Sequence, residues 1–336
     1  MDNNEIVFSK NQSIAIWDAL NKIPSNYDQE ENPLDFESLA ANILNETIEK
    51  KMVLKIKGKV ESNHSPYLLI RNFLSIEDLP PTPTDDRSPD SQGWRVPAAA
   101  LMGLLRLTGH SARSFLDEMN GRLCHMVMPA KNDDRSYKRS TKELLFHTEV
   151  VNGYFIEENP CIGQPVSPES FGLIGLRNPD NISTTLLPLR SVLAKLESET
   201  INELMKPIFH SNSQSSFDRN ICIDNIPVLK VLNDGAMGIR YSHSKLTTKD
   251  KNGIEALKIL TELINSSKKT LHISLNPGDI LLINNRTSLH GRTTIASSAK
   301  FSGLDRWLLR VYGYKLSTLP VLKTQNDKKH VMEVTQ

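Results

Sequence analysis

The most informative segment of this chain is Pro277-Gly-Asp-Ile-Leu-Leu-Ile-Asn-Asn-Arg-Thr-Ser-Leu-His-Gly-Arg292. Its first two residues predict a turn, and the apolar run after them predicts a buried strand. Polar residues then predict a bend, which leads to His290. The glycine after this histidine lets the backbone come close to a ligand. The pattern therefore predicts a turn, a strand and a polar bend, with His290 as a candidate ligand-contacting residue.

Short apolar runs between turn signals recur from about residue 121 onward. One of them, Leu271-His-Ile-Ser-Leu275, alternates apolar and polar residues as a half-buried strand does. Helical patterns interrupt the series at 190–209 and 253–266. Many short strands with inserted helices predict a mainly β fold with flanking helices, a β-sandwich or open barrel of the jelly-roll type. The other predicted strands cover residues 122–128, 143–149, 170–176, 184–189, 227–232 and 279–283.

The chain is expected to form a single domain over residues 1–336, with the jelly-roll core and its helical inserts at 121–315. Residues 1–110 are expected to give helical support and a loop on one side of the sandwich. The polar residues 316–336 predict a loose tail. In the N-terminal part, the predicted elements are helices over 13–23, 36–52 and 97–107, a strand over 67–73 and a proline-rich loop over 79–93.

Composition excludes several classes of protein. With 40 Lys and Arg against 39 Asp and Glu, the net charge of +1 argues against a nucleic-acid or membrane partner held by bulk charge. The longest apolar stretch, residues 96–107, is shorter than the roughly 20 residues that a bilayer needs and contains Arg106. The acidic N-terminus is unlike a signal peptide. Three distant cysteines, Cys124, Cys161 and Cys222, exclude a disulfide framework. We therefore expect a cytoplasmic enzyme or binding domain.

One of the nine histidines, His147, has a carboxylate two residues later, in Phe146-His-Thr-Glu149. Residues i and i+2 of a strand share a face, so an extended segment would project His147 and Glu149 into one cavity. A second histidine from a distant strand would complete the 2-His-1-carboxylate site of non-haem iron oxygenases. The alternative is a strand histidine beside an exposed glutamate, because such a spacing also arises by chance.

Two arginines, Arg306 and Arg310, lie four residues apart in Asp305-Arg-Trp-Leu-Leu-Arg-Val-Tyr312. On a strand this even separation places both on one face. Two inward guanidiniums are costly unless carboxylates meet them, and dicarboxylates and amino acids provide such groups. The alternative is a pair of surface arginines on an exposed strand face.

Further motifs are Leu79-Pro-Pro-Thr-Pro-Thr84, Arg177-Asn-Pro-Asp180 and Thr184-Thr185. Together with the blocks above, they resemble the clavaminate-synthase-like branch of Fe(II)/2-oxoglutarate-dependent dioxygenases. Its best-known members hydroxylate free arginine, asparagine or lysine at an unactivated side-chain carbon. The resemblance runs from about residue 67 to residue 314. It implies a double-stranded β-helix (jelly roll) with N-terminal helices and a lid, and an enzyme that uses Fe(II), 2-oxoglutarate and O₂.

The resemblance implies roles for individual residues. His147, Glu149 and His290 would bind Fe(II). Arg306 would pair with the distal carboxylate of 2-oxoglutarate in a bidentate manner. Thr185 would add a hydroxyl hydrogen bond to that cosubstrate. His110, His125 and His272 are expected to be packed or surface histidines instead of ligands.

For the substrate, the resemblance implies that Arg310 holds the α-carboxylate and that Glu149 accepts from the α-ammonium. Arginine- and asparagine-hydroxylating members carry acidic side chains where this chain has Ser242 and Ser244, and this departure puts arginine and asparagine in doubt. Glu118 stands where relatives often carry a substrate-contacting glutamine. It would pair with a lysine ε-ammonium, which is a point charge and does not need a two-point acceptor. The alternative for Glu118 is a solvated loop acid.

The sequence therefore predicts an Fe(II)/2-oxoglutarate-dependent hydroxylase of a free amino acid, with lysine or a similar cationic amino acid ahead of arginine and asparagine. The alternatives are a desaturase or cyclase of an amino-acid-derived metabolite and a non-catalytic jelly-roll binding domain. The expected partner is a small-molecule amino acid, and the expected assembly is a monomer or homodimer. Residues 152–169 are expected to form part of the lid or entrance, and residues 131–142 a solvated loop or a flap.

Overall fold

The structure is a computed structural model that describes residues 4–84, 91–129, 141–295 and 301–335. Its helices are α1 (Lys10–Asn21), α2 (Pro33–Thr47), α3 (Lys50–Glu61), α4 (Arg95–Leu107), α5 (Leu189–Leu193), α6 (Ser198–Leu204) and α7 (Lys251–Asn265). Its strands are β1 (Glu5–Val7), β2 (Tyr67–Arg71), β3 (His110–Phe115), β4 (His125–Val127), β5 (Leu144–His147), β6 (Ser170–Arg177), β7 (Ser183–Pro188), β8 (Phe209–Asn212), β9 (Cys222–Ile226), β10 (Leu229–Val231), β11 (Met237–Ile239), β12 (Leu246–Thr247), β13 (Leu271–Ser274), β14 (Ile280–Asn284), β15 (Ser288–Arg292), β16 (Trp307–Lys315) and β17 (Val331–Met332). None of the helices in these ranges is long and apolar enough to cross a membrane.

Two β-sheets form the body of the molecule. The larger sheet has the strand order β1-β2-β14-β6-β16-β3-β17, with β4 also paired to β16, and the smaller one has the order β13-β7-β15-β5. Phe171, Leu173 and Leu281 of the larger sheet share a buried cluster with Leu186 and Ile273 of the smaller sheet. This cluster is the core between the sheets, and the architecture is the jelly roll that the sequence predicts.

The N-terminal helices cover the outer face of the larger sheet. Phe36 of α2 and Leu101 of α4 share one buried cluster with Ile174 and Leu309 of the sheet. Gly103 permits the close approach of α2 and α4, because a Cβ at this position would lie 2.8 Å from the Cβ of Ala40. The N-terminal segment therefore supports one side of the sandwich, as expected from the sequence.

Helix α7 covers the outer face of the smaller sheet. It begins after Asp250, whose Oδ1 accepts a hydrogen bond from the backbone N–H of Gly253 at 2.8 Å. Leu260 and Ile264 lie four residues apart on one face of the helix and share a cluster with Leu289 of β15. This packing fixes β15, the strand that carries His290.

Two of the predicted helices are interrupted. The segment predicted as one helix over 36–52 is divided between α2 and α3, because Ile48 is extended, with φ −89° and ψ 135°. The segment predicted as a helix over 190–209 contains α5 and α6, separated by the extended residue Glu197, and its last residue already belongs to β8. In both places the helical spacing of apolar residues continues across a residue with an extended backbone, so the sequence pattern does not reveal the break between the helices.

The prediction of a loose tail over 316–336 is wrong for its last part. Strand β17 pairs in parallel with β3, through Val331 opposite Ser114 and Met332 opposite Phe115. The side chains of Met332 and Val334 are buried in the core between the sheets. This short apolar stretch finds partners that are far away in the sequence, so the polar composition around it concealed its role.

The segment 152–169 is held against the body of the protein. Arg286 donates two hydrogen bonds to Glu157, at 3.0 and 3.1 Å, and Arg240 donates to Glu158. The guanidinium of Arg240 also lies 4.5 Å from the ring centre of Phe155. No residue of this segment lines the cavity described below, so the structure gives no support for its expected role in a lid. Of the expected flap at 131–142, residues 131–140 lie outside the described residues.

Candidate active site

Two histidines meet where the last two strands of the smaller sheet pair. His147 is the last residue of β5 and lies directly opposite His290 of β15 in the antiparallel register. Their ring centres are 4.1 Å apart. Glu149 follows two residues after His147, and its Oε1 lies 3.3 Å from Nε2 of His290. One ligand atom from each of these three buried residues lies within 4.8 Å of the others.

Glu149 reaches this position from a turn. The sequence argument placed His147 and Glu149 on one strand, but β5 ends at His147 and Glu149 begins a turn. The next residue, Val150, has a left-handed φ of 53°. The convergence of the two side chains therefore depends on this turn, and the prediction by strand alternation gave the right pair for a wrong reason.

The donor set fits a metal ion. Nδ1 of His147 lies 2.8 Å from the carbonyl oxygen of Leu145 and donates to it in the neutral tautomer, which leaves the lone pair of Nε2 for a metal. Two imidazoles and one carboxylate are the ligands of the facial triad of non-haem Fe(II) oxygenases. His147, Glu149 and His290 are the residues that would hold such an ion.

A cavity extends from these residues to Arg306, which immediately precedes β16. Phe171, Leu173 and Leu308 contribute apolar side chains to its wall. The Arg306 side chain is buried, and its Nε and Nη1 make no hydrogen bond to any residue in the described ranges. Burial, and then the charge of Arg292, lower the pKa of Arg306 to about 9. Because buried N–H groups of a guanidinium are costly when they make no hydrogen bond, this end of the cavity fits a ligand carboxylate.

The structure places Thr184 in this cavity and turns Thr185 away from it. Thr184 lies opposite Arg292 in the register of β7 and β15 and lines the cavity wall. Thr185 lies opposite Gly291, and its Oγ1 would be 2.9 Å from a Cβ at that glycine. Adjacent residues of a strand point to opposite faces. The hydroxyl contact expected of Thr185 is therefore reassigned to Thr184.

Arg310 lies between two carboxylates. Its Nη1 donates to Glu149 at 2.5 Å, and its Nη2 donates to Glu118 at 3.3 Å and also to Nδ1 of His125. The hydroxyl of Tyr312 donates to Oε2 of Glu149 at 3.0 Å. Burial alone would lower the pKa of Arg310, but the two carboxylates raise it above its ordinary value. Arg310 is therefore a permanently charged group beside the candidate metal ligands.

Glu118 is fully buried, with a relative exposure of 0%. It is therefore not a solvated loop acid, and its charge faces Arg310. Ser242 is half-buried and forms a bridge with the backbone of His147, whereas Ser244 is exposed in a turn. The structure thus brings Glu118 to Arg310, whereas Ser242 neighbours His147 only through the backbone and lines a separate pocket beside α7, and Ser244 lies outside the site.

Sequence reasoning missed several residues around the site. Arg292 lines the cavity two residues after His290, and Tyr312 contacts Glu149 two residues after Arg310. The period of two that placed both arginines on one face would also have found these residues. His125 is packed, as expected, but its partner Arg310 could not be identified because the pairing of β4 with β16 is not visible in the sequence.

Comparisons with known proteins agree with this geometry. Residues 205–312 match the model of the taurine catabolism dioxygenase TauD, TfdA family. Clavaminate synthase 2 of Streptomyces clavuligerus is 28% identical in an alignment of 268 residues that covers 73% of this chain and 73% of that protein. The L-lysine 3-hydroxylase of Catenulispora acidiphila is 25% identical in an alignment of 258 residues that covers 73% of this chain and 66% of that protein.

A solved structure supports the fold over nearly the whole chain. It is asparagine oxygenase in complex with Fe(II), 2S,3S-3-hydroxyasparagine and succinate, with a TM-score of 0.82 and 20% sequence identity. The match covers 98% of this chain and 99% of that one, which confirms the predicted jelly roll. Residues 205–312 therefore resemble the TauD/TfdA family of dioxygenases, and the chain is similar in sequence to clavaminate synthase 2, a member of the branch that its motifs indicate.

Proposed function

We propose that this protein hydroxylates a side-chain carbon of a free L-amino acid and consumes 2-oxoglutarate and O₂. The products are the hydroxy-amino acid, succinate and CO₂. The observation that carries the proposal is the single cavity that joins the cluster of His147, Glu149 and His290 to the buried guanidinium of Arg306. One end of this cavity suits a metal ion, and the other suits the carboxylate of a ligand.

Two parts of the cavity would hold the cofactors. His147, Glu149 and His290 would bind Fe(II), which supplies, together with 2-oxoglutarate and O₂, the oxidising power to replace a C–H bond by C–OH. Arg306 would pair with the distal carboxylate of 2-oxoglutarate, and Thr184 would add a hydroxyl hydrogen bond. Leu173 and Leu308 would contact the methylene groups of the cosubstrate and keep water away from them.

Arg310 and Glu118 would orient the substrate. Arg310 would pair with the α-carboxylate, and its present contacts with Glu149 and Glu118 show that it accommodates carboxylates on both sides. Since Glu118 lies 3.3 Å from Arg310, a substrate held by Arg310 would bring its α-ammonium close to Glu118. We therefore assign Glu118 to the α-ammonium together with Glu149, which also lies beside Arg310, in place of the lysine ε-ammonium that the sequence suggested for Glu118. The protein would then contribute to catalysis by fixing which carbon of the substrate faces the metal site.

Lysine, or a similar cationic amino acid, is the first substrate to test. Its support is the absence of acids at Ser242 and Ser244, where the resemblance places the acids that grip a guanidinium or an amide. Relatives of similar identity are named L-lysine 3-hydroxylase, L-asparagine oxygenase and L-ornithine/L-arginine 3-hydroxylase, so their names do not select one of these substrates. Arginine and asparagine are the competing substrates, and desaturation or cyclisation of an amino-acid-derived metabolite is the competing reaction.

The test is release of labelled CO₂ from 1-¹⁴C-2-oxoglutarate across a panel of lysine, ornithine, arginine and asparagine. We expect substrate-dependent CO₂ release with a free amino acid and a product heavier by one oxygen in mass spectrometry. A product lighter by two hydrogens would indicate desaturation instead. His290→Ala is the control, and unchanged turnover in that variant would contradict the assignment of the metal site.

A further inference from the structure

The side chain of Asn285 binds both ends of the Glu149 peptide unit. The backbone N–H of Glu149 donates to Oδ1 of Asn285 at 2.7 Å, and Nδ2 of Asn285 donates to the carbonyl oxygen of Glu149 at 3.0 Å. Asn285 is buried and lies in the bend between β14 and β15. The bend that leads to His290 therefore also grips the backbone of Glu149.

The amide side chain of Gln214 binds the backbone of the two residues that flank Glu149. Nε2 of Gln214 donates to the carbonyl oxygen of Thr148 at 3.2 Å. The backbone N–H of Val150 donates to Oε1 of Gln214 at 3.4 Å. Asn285 and Gln214 together thus bind the backbone of the turn that follows β5.

The turn needs such support because of Val150. This residue is buried and has a φ of 53°, in the left-handed region that β-branched residues rarely adopt. A conformation of this kind persists only when the surrounding structure holds it, and it occurs preferentially at functional sites. Without the contacts of Asn285, we expect the backbone at Val150 to relax and to carry the carboxylate of Glu149 away from the two histidines.

We propose that Asn285 is a positioning residue for the metal ligand Glu149. It does not touch the metal in this proposal. It fixes the turn so that the Glu149 carboxylate faces His147 and His290, and it couples this turn to the segment that carries His290. The inference rests on the proposed metal site, and it assigns a role to the second asparagine of the Ile-Asn-Asn-Arg motif at 283–286.

A purely structural role is the competing explanation, because Nδ2 of Asn285 also lies 3.0 Å from the carbonyl oxygen of Pro168. The chain offers a matched control in Asn178. Its Oδ1 accepts from the N–H of Ile182 at 2.9 Å and its Nδ2 donates to the carbonyl oxygen of the same residue at 3.0 Å. Asn178 thus makes the same two-point contact with a backbone unit that holds no metal ligand.

The experiment compares Asn285→Asp with Asn178→Asp. Aspartate keeps the size and the acceptor but cannot donate, so its second oxygen would face the carbonyl oxygen of Glu149. Dissociation constants for Co(II) are measured by absorption titration of the metal-free proteins, and the thermal midpoint of each variant is measured alongside. We expect Asn285→Asp to weaken Co(II) binding by about 10- to 100-fold, the usual cost of losing the support of a metal ligand. Asn178→Asp should bind Co(II) like the unchanged protein, even if its thermal midpoint falls.

Equal Co(II) affinities in the unchanged protein and Asn285→Asp would overturn the inference. A similar loss of Co(II) affinity in Asn285→Asp and Asn178→Asp would also overturn the inference, because the loss would then reflect general destabilisation of the protein. If Asn285→Asp does not fold, Gln214→Leu takes its place, since this half-buried residue holds the same turn from the other side. Failure of the unchanged protein to bind Co(II) would instead refute the metal site itself, so the two failures are distinguishable.

Discussion

Arg306 and Arg292 are two buried guanidiniums that line one cavity, and the charge of Arg292 lowers the pKa of Arg306 beyond the effect of burial. Arg292 donates to the carbonyl oxygen of Lys142 at 2.5 Å, whereas Nε and Nη1 of Arg306 make no hydrogen bond within the described part of the chain. An anionic ligand would relieve this repulsion. The ligand-free protein therefore retains an unfavourable arrangement that binding of 2-oxoglutarate would remove.

Replacing Arg306 by Met should separate stability from function. The substitution removes a buried charge that is repelled by Arg292 and whose Nε and Nη1 make no hydrogen bond to the described residues, so the thermal midpoint of the ligand-free protein should rise. The KM for 2-oxoglutarate should increase roughly 10- to 100-fold, as expected for loss of a hydrogen bond to a charged group. Arg306→Lys is the control, because it keeps the charge but loses the two-point geometry of the guanidinium. Its KM for 2-oxoglutarate should lie between those of the unchanged protein and Arg306→Met. An unchanged KM in Arg306→Met would exclude Arg306 as the cosubstrate residue.

Glu118→Gln should act on the amino acid alone. The change keeps the shape and removes the charge that faces the substrate ammonium, so we expect the KM for the amino acid to rise about 10-fold while the KM for 2-oxoglutarate stays constant. Steady-state kinetics with each substrate varied in turn measure both constants. Asp117→Asn is the neighbouring control, since Asp117 pairs with the exposed Arg219. Equal effects on both KM values would show that Glu118 supports the whole cavity.

The stability of the protein should fall in mild acid because of His110. Burial, and then the charge of Lys315, lower the pKa of His110 to about 4. In the unfolded chain the ordinary pKa is about 6.5, so between these values the unfolded state binds the additional proton and is favoured. Stability is thus complete above about pH 6.5 and declines as the pH falls towards 4. From pH 7 to pH 5 this effect amounts to about 2 kcal/mol.

Urea unfolding of the metal-free protein at pH 7 and pH 5 measures this difference. His110→Gln should reduce the loss of stability between the two pH values, because the residue that takes up the proton on unfolding is absent. His272→Gln is the matched control, since His272 is exposed on β13. The same pH dependence in His110→Gln and in the unchanged protein would show that other groups are responsible.

The C-terminal strand should contribute measurably to stability. Met332 is buried between the sheets, so Met332→Ala should lower the free energy of unfolding by about 2–5 kcal/mol. Glu333→Ala should cost less than about 1 kcal/mol, because the side chain of Glu333 is partly exposed and its distance to Lys323 is 4.0 Å. Denaturant unfolding of the two variants measures the contrast. Similar values for both would mean that β17 is not stably docked.

Recurring short apolar runs between turn signals predicted the jelly roll, and the family resemblance predicted the cluster of His147, Glu149 and His290. His147, Glu149 and His290 come together in the structure although the segment after His147 is a turn. The spacing alone gave this result because two side chains separated by one residue can also converge when the backbone reverses direction. Sequence could not distinguish a strand from a turn at this place, since the strain at Val150 is imposed by distant residues.

Other features of the site depend on which face of a strand a residue occupies and on which distant strands pair with each other. Thr184 and Thr185 are chemically identical neighbours, and only the register of β7 against β15 decides which of them lines the cavity. Glu118 was expected near the side chain of the substrate or in solvent, and its buried position beside Arg310 follows from β4 and its neighbours. Such pairings bring together residues that are almost 200 positions apart, and a single sequence contains no signal for them.

The order of the ligands along the chain has a consequence for biosynthesis. Glu149 and His290 are separated by 141 positions, and β15 must insert between β5 and β7 before the two side chains meet. A nascent polypeptide that still lacks β15 on the ribosome would hold only His147 and Glu149, which is an incomplete set of ligands. An ion held by all three residues would therefore bind only after β15 has been translated, and it would stabilise the protein only late in folding.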